Sequence, residues 1–423
     1  MSVYSFSTRA SQTEHPDEGG LRIQVTSTLG MIPIPGATVT IYYTAAPENP
    51  IQQLTTDSSG QTSVIELPAP PLAYSLEPGS PRPYSEYNIR VSAPGYETVI
   101  ISGSEILPEV TSIQPVELPP TEVSTGSEED INIGPHTLYY DYPPKIPEDE
   151  IKPTNETGEI VLSRVVIPEF IIVHDGDPND ASAPNYYVRY KDYIKNVASC
   201  EIYATWPESA LYANVLTIMS FTLNRVYTEW YRNKGYDFTI TSSTAYDQKW
   251  IYGRNIFTNI DYLVDTVFAN YLSRPGVRQP ILASYCDGKR VTCEGLSQWG
   301  SQYLAEEGYS AIEIIRYYFG NDMYINTATQ VSGVPSSWPG YNLTIGSSGE
   351  KVSQMQEQLN RIAQNYPAIP KIAVDGIFGQ NTANAVRAFQ TIFNIPATGV
   401  VDYPTWYEIS NIYVGVSRIA EPG

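Results

Sequence analysis

Three groups of residues in this sequence have types and spacing that could do chemistry. The first is a lone carboxylate, Glu201, set between Cys200 and Ile202 at the end of a short apolar run. A carboxyl group among apolar neighbours loses hydration, which raises its pKa and can keep it protonated as a general acid. The alternative is an ordinary surface glutamate ahead of a helix. The second is Asp247-Gln248, inside the Thr/Ser-rich stretch TITSSTAYDQKWIYGR. Those two side chains could hold a sugar or simply close a hydrogen-bonded turn. The third is Cys286 and Cys293, with six residues between them in YCDGKRVTCEG. Two thiolates are half of a structural zinc site. The only histidines are His15, His136 and His174, none of them close in sequence. A disulfide or a pair of buried free thiols is therefore the reading, with no cofactor and no stoichiometric zinc expected.

The elements that must position these groups can be read from pattern. After Glu201 comes Thr205-Trp206-Pro207-Glu208, where Thr can cap a helix, Glu can reply three residues on, and Pro suits the first turn. Leu211, Val215, Met219, Leu223, Val226 and Trp230 then recur at helical spacing. Glu201 thus stands just ahead of a core helix.

Taken in order, this carboxylate, the Trp-Pro-led helix, Tyr246-Asp247-Gln248 and Gly295-Leu296-Ser297-Gln298-Trp299-Gly300 resemble the SpoIID/LytB family, enzymes that cut peptidoglycan glycan strands. The run from Ser297 to Asn321, SQWGSQYLAEEGYSAIEIIRYYFGN, is its most specific part, and the match covers about residues 165–325. The resemblance implies an α+β domain with Glu201 in the place of the catalytic glutamate. It also implies substrate-side roles for Asp247, Gln248, Ser297, Gln298 and Trp299, and lytic transglycosylase chemistry on glycan strands. The family usually carries a Gly-His-Gly-Val-Gly-like run ahead of Ser-Gln-Trp-Gly. This chain has Val291-Thr292-Cys293-Glu294-Gly295 there, which puts the zinc use of clostridial members in doubt.

A length of 423 residues suggests two to four domains. The formal charge is −21, from 46 acidic and 25 basic side chains. That argues against nucleic acid or an anionic membrane as partner and is compatible with a polysaccharide. Residues 1–20 are polar, with no apolar core of signal-peptide length, and no window could span a bilayer. The expected setting is a sporulating cell, a spore envelope, or a wall reached by a non-standard route.

The whole reads as a multidomain protein: an all-β sandwich, a central α+β domain and a helical bundle. After a disordered 1–20, short strands from Leu21 to Pro119 predict the sandwich. The order of Pro-Gly-Ala-x-Val-x-Ile, Thr-Asp-x-x-Gly and Gly-Tyr elements resembles the carboxypeptidase regulatory-like, transthyretin-like module, an adhesive or spacer unit in its family. Residues 120–164 read as an acidic, Pro-rich linker, and 326–342 as a second one. In 343–415 the order Asp375-Gly376-Ile377-Phe378-Gly379, Phe389-Gln390, Thr398-Gly399 and Thr405-Trp406 resembles peptidoglycan-binding domain 1, a three-helix module. By analogy Asp375, Gly376, Phe378, Gln380 and Thr382 would border its ligand groove. The competing reading is a structural spore or envelope protein that binds peptidoglycan without cutting it.

Overall fold

The computed structural model describes residues 17–121, 128–140, 142–152, 164–333 and 338–417. Its first part is built from alternating sequence. Strands β1 (Asp17–Ser27), β2 (Thr38–Tyr43), β3 (Pro50–Thr55), β4 (Ile65–Ala69), β5 (Ser85–Ser92), β6 (Val99–Ile106), β7 (Thr111–Leu118) and β8 (Glu129–Asn132) follow in turn. A single helical turn, α1 (Ala73–Leu76), lies between β4 and β5. One sheet places β1 between β7, parallel, and β4, antiparallel; the other runs β3-β2-β5-β6-β8. Alternate residues of a strand face one side, so Leu21, Ile23 and Val25 meet Val39, Ile41, Ile89, Val91, Val99 and Ile101 in one apolar core.

Two boundaries expected from the sequence move. Strand β1 begins at Asp17, within the span read as a disordered 1–20, while His15 and the rest of 1–16 lie outside the described residues. The span 120–164 is no free linker where it is described. Strand β8 pairs with β6, and residues 136–140 and 142–152 lie against the central part, with Thr137 N–H on the Cys200 carbonyl and Ile146 N–H on the Ala245 carbonyl.

Helices α2 (Tyr190–Glu201) and α3 (Glu208–Tyr227) are the spine of the central part. The sequence predicts one apolar stripe on α3, but the structure buries it on all sides, Asn214, Thr217, Ser220 and Arg225 included. Its hydroxyls donate one turn back, Thr217 to the Ala213 carbonyl and Ser220 to the Leu216 carbonyl, so they enter the core with partners. The expected Thr205–Glu208 cap does not form. Thr205 Oγ1 instead donates to Ser75 Oγ at 2.7 Å, and Trp206 Nε1 to the Ser75 carbonyl at 2.8 Å. A tertiary tie to α1 has displaced the local cap. Trp230 lies beyond the helix end.

Around this spine lie α4 (Thr258–Val267), α5 (Gln298–Glu306) and α6 (Ala311–Phe319), with short strands between them. Strands β9 (Val166–Ile167), β10 (Phe170–His174), β11 (Asn185–Arg189) and β12 (Ile240–Thr241) lie on one side, where β10 joins β11 and β12. Strand β13 (Ile256–Phe257) pairs antiparallel with β7, so the first sheet and the central part share backbone hydrogen bonds. Next come β14 (Asn270–Ser273), β15 (Tyr285–Cys286), β16 (Leu296–Ser297), β17 (Tyr324–Thr327) and β18 (Gln330–Val331), pairing β14 with β17, β15 with β16 and β18 with β9.

Helices α7 (Glu350–Ile362), α8 (Gln380–Ile392) and α9 (Tyr403–Ser417) close the chain. Their apolar residues, Val352, Met355, Leu359, Val386, Phe389 and Trp406 among them, belong to the same buried cluster as the central part. Tyr403 and Tyr407 each lie 5.7 Å, ring to ring, from Phe268. Lys191 of α2 pairs with Asp265 of α4 and Glu408 of α9, and Asn394 Nδ2 donates to Asp261 at 2.8 Å. The helices expected at 343–415 are thus docked on the rest rather than tethered to it. No described helix is long and apolar enough to cross a membrane.

Candidate active site

Glu201 is the last residue of α2, which ends as Ile202 turns extended. It is fully buried, not the surface residue of the blander expectation. Burial raises its pKa, and the charge of Lys145, the Lys249 amide and Tyr285 oppose that shift without cancelling it. The C-terminal end of a helix dipole also disfavours a negative charge. Oε1 accepts from the Lys249 N–H at 2.6 Å. Gln298 Nε2 reaches the Glu201 carbonyl at 3.1 Å and Oε2 at a long 3.4 Å.

Three buried polar atoms around this carboxyl have no hydrogen-bond partner among the described residues: Tyr142 OH, Tyr285 OH and Gln298 Oε1. The Tyr285 hydroxyl is nonetheless near enough to Glu201 for each to shift the other. Each such atom costs about 1–3 kcal/mol, and their convergence marks a place where water or a ligand group belongs.

The positive charge beside this pocket comes from the span read as linker. Lys145 Nζ donates to the Asp247 carbonyl and sits 4.3 Å from the Tyr285 ring centroid and 5.0 Å from that of Phe221. Burial pulls its ammonium down to about 8, although Glu201 and Asp247 act to raise it. Burial therefore pushes this carboxyl and this ammonium toward their neutral forms. The sequence carried no signal for Lys145 or Tyr285, which lie outside any periodic pattern or shared motif, and marked Tyr142 only as part of a tyrosine patch able to pack on a neighbour.

The Gly-Leu-Ser-Gln-Trp-Gly run works by close fit. Ser297 caps α5, its Oγ accepting from the Gly300 N–H at 2.9 Å. Gly295 has φ +124°, and a Cβ there would strike the Ser284 carbonyl; one at Gly300 would strike the Tyr318 hydroxyl. Trp299 is buried against Tyr203 and Trp206, at 5.9 and 5.1 Å between rings. Of these three expected substrate residues, only Gln298 touches Glu201.

Asp247 and Gln248 are both fully buried. Asp247 Oδ1 takes the Arg225 Nε–H at 2.7 Å, and Oδ2 takes Tyr231 OH at 2.6 Å, Thr241 N–H at 2.9 Å and Thr241 Oγ1 at 2.7 Å. Gln248 Oε1 accepts from Tyr193 OH and Thr222 Oγ1, and its Nε2 donates to the Ile218 carbonyl. Their polar atoms are committed within the protein, and they serve packing between α2, α3 and β12.

Cys286 and Cys293 are joined in a disulfide. Asp287 holds the loop between them, its carboxylate accepting N–H groups of Lys289, Arg290 and Val291. Cys200 is a buried free thiol, pushed up to about 12 by burial. His136 is buried against Tyr203, with Nε2 on the Ile202 carbonyl at 3.3 Å, and burial lowers its pKa well below the usual value. His174 lies between Asn185 and the Asp177 carbonyl, stacked on Phe238.

In the C-terminal helices, Gln356 of α7 organises the predicted turn. Its Oε1 accepts the Asp375 and Gly376 N–H groups, and its Nε2 donates to Asp375 Oδ1, the Ile377 carbonyl and Thr382 Oγ1. Gln390 of α8 grips the Thr398–Val400 turn in the same manner. Phe378 and Thr382 are buried, while Asp375 and Gln380 face solvent beside exposed Val374 and Ile377. Of the five residues expected at the groove, Asp375 and Gln380 are thus the exposed ones.

Residues 348–409 match the model of a family described as "Putative peptidoglycan binding domain". The C-terminal helices thus match a peptidoglycan-binding domain, which supports peptidoglycan as a partner of the chain. Comparison with curated proteins gives no match. Among solved structures, the chain is similar to the crystal structure of the SleB N-terminal domain, with 30% identity over 17% of this chain and 93% of that one and a TM-score of 0.15. It is also similar to wild-type Acinetobacter radioresistens catechol 1,2-dioxygenase, with 17% identity, 28% of this chain, 59% of that one and a TM-score of 0.18. TM-scores this low carry no conclusion about fold or function.

Proposed function

We propose that this protein binds peptidoglycan through its C-terminal helices and cuts glycan strands at Glu201, as a SpoIID-like lytic transglycosylase of wall or spore-cortex remodelling. In this reading the N-terminal sheets are a transthyretin-like spacer. The supporting observation is a buried carboxyl with a raised pKa, ringed by polar atoms that lack partners. Glu201 would protonate the glycosidic oxygen as the bond to the anomeric carbon breaks. Its carboxylate would then take the proton of the muramyl 6-hydroxyl, whose oxygen closes on that same carbon to give an anhydro end. No water nucleophile enters, so a second carboxylate of the usual glycosidase pair is not required.

A second reading, a wall-binding structural protein without catalysis, is favoured by one observation: Glu201 has no exposed surface. Incubation with wall stripped of its stem peptides separates the two. The enzymatic reading expects slow release of anhydro-ended fragments by the parent, and a loss of about 10²-fold or more in Glu201→Gln with wall binding intact. Release within a few-fold of the parent by Glu201→Gln would remove Glu201 as the acid. No release by any folded form would leave the structural reading.

A further inference from the structure

We propose that residues 136–140 and 142–152 are a latch over Glu201, closed in the folded chain and opening to admit the glycan; this rests on the cleavage reading above. The segment takes hold on both sides of the carboxylate. Thr137 N–H donates to the Cys200 carbonyl at 3.1 Å, and His136 Nε2 meets the Ile202 carbonyl at 3.3 Å. It is fastened again at its far end, where Lys152 and Gln279 exchange two hydrogen bonds of 2.7 and 3.1 Å.

The rim of the segment is well satisfied and its centre is not. At the rim, Glu148 makes a forked pair with Arg225, at 2.6 and 3.0 Å, and Glu150 one with Arg274, at 2.7 and 2.8 Å. Arg290, in the disulfide loop, donates to the Thr137 and Tyr140 carbonyls. At the centre, Tyr142 OH has no hydrogen-bond partner among the described residues, and the Lys145 ammonium meets the Asp247 carbonyl and the faces of Phe221 and Tyr285. Opposite them are the partnerless Tyr285 OH and Gln298 Oε1. A segment serving only to complete the core would be held best where it is buried deepest. This one puts its poorest contacts over the carboxyl. The unmatched donors and acceptors are of the kind that sugar hydroxyl and acetamido groups satisfy.

The outer part of the rim is weakly held. The Glu150 and Arg274 side chains are 32% and 24% exposed, and pairs so placed contribute little each. Opening would break the buried Glu148–Arg225 pair as well as the exposed one, in exchange for hydration of a poorly satisfied ammonium and phenol, so the closed form dominates and the open form is a minor state.

The test uses the full chain as Glu148→Gln/Glu150→Gln, with Glu150→Gln alone as the milder form. Hydrogen exchange reads the latch directly, through peptides covering 142–152 and the Lys249 N–H held by Glu201. Fragment release from stripped wall reads the site. The latch predicts at least tenfold faster exchange in those peptides with α3 still protected, and at least tenfold faster release that disappears when Glu201→Gln is added. Faster exchange with release still at the parent's Glu201-dependent rate overturns the latch and leaves the cleavage reading standing. No release from parent or opened variant overturns both. If protection of α3 is also lost in the double variant, Glu150→Gln decides by the same two readouts; unchanged exchange there makes the segment a fixed part of the core and overturns the latch.

Discussion

Glu201 and Asp247 are two fully buried carboxylates, with Lys145 influenced by both. They are held in opposite ways. Asp247 has an arginine on one oxygen and three donors on the other. Glu201 has one short amide bond, one long contact from Gln298 and the nearby Tyr285 hydroxyl, beside atoms that have no hydrogen-bond partner among the described residues. Burial alone therefore does not mark a carboxylate as functional; the supply of donors around it does. The saturated one ties elements together, and the unsaturated one keeps chemical capacity.

The largest effect expected is from removing everything after Asn342. Truncation strips Phe268 of its tyrosine cover and takes Glu408 from the half-buried Lys191, on the helix that ends in Glu201. A loss above about 5 kcal/mol is expected in chemical unfolding of the remainder. A truncated protein as stable as the whole would show that the position of Glu201 does not depend on these helices.

Next comes the comparison itself. Asp247→Ala leaves Arg225 with an unpaired edge in the core and should cost about 3–5 kcal/mol. Glu201→Gln, which keeps shape and removes a poorly solvated acid, should stay within about 1 kcal/mol. Equal losses would mean that both carboxylates are structural.

The pH dependence carries a defined sign. The folded pKa of Glu201 is raised, so its contribution to stability is full below the unfolded value of 4.5 and is lost as pH rises through the folded value. The melting temperature of Glu201→Gln minus that of the parent should therefore climb as pH increases above 4.5. A flat difference would say that the environment does not favour the protonated form. The last variant is Tyr285→Phe: it deletes a buried hydroxyl with no full partner, so stability should hold or rise, by about 1–3 kcal/mol at most, while fragment release falls.

Much of this arrangement was legible because it lies in local patterns. The Asp375-Gly376 and Thr398-Gly399 turns announce themselves, since each needs a glycine at positive φ beside a helix glutamine. Glu201 could be singled out by its place before a helix and by family resemblance. Lys145 and Tyr142 could not, because they act as single side chains in a Pro-rich stretch whose composition reads as solvated linker. The roles expected of Asp247 and Trp299 came with shared motifs, and motif membership does not say whether a side chain faces a ligand or a neighbouring helix. The Thr205 cap failed for a related reason: Ser75, 130 residues away, offered a better partner.

The account turns most directly on the protonation state of Glu201. Infrared difference spectra between parent and Glu201→Gln isolate the carboxylic acid band of this one group across a titration. The band is predicted to persist above the ordinary glutamate value of 4.5, as burial among unsatisfied neighbours requires. Its disappearance at or below that pH would show a carboxylate as well satisfied as Asp247, and would contradict the distinction on which the proposed chemistry stands.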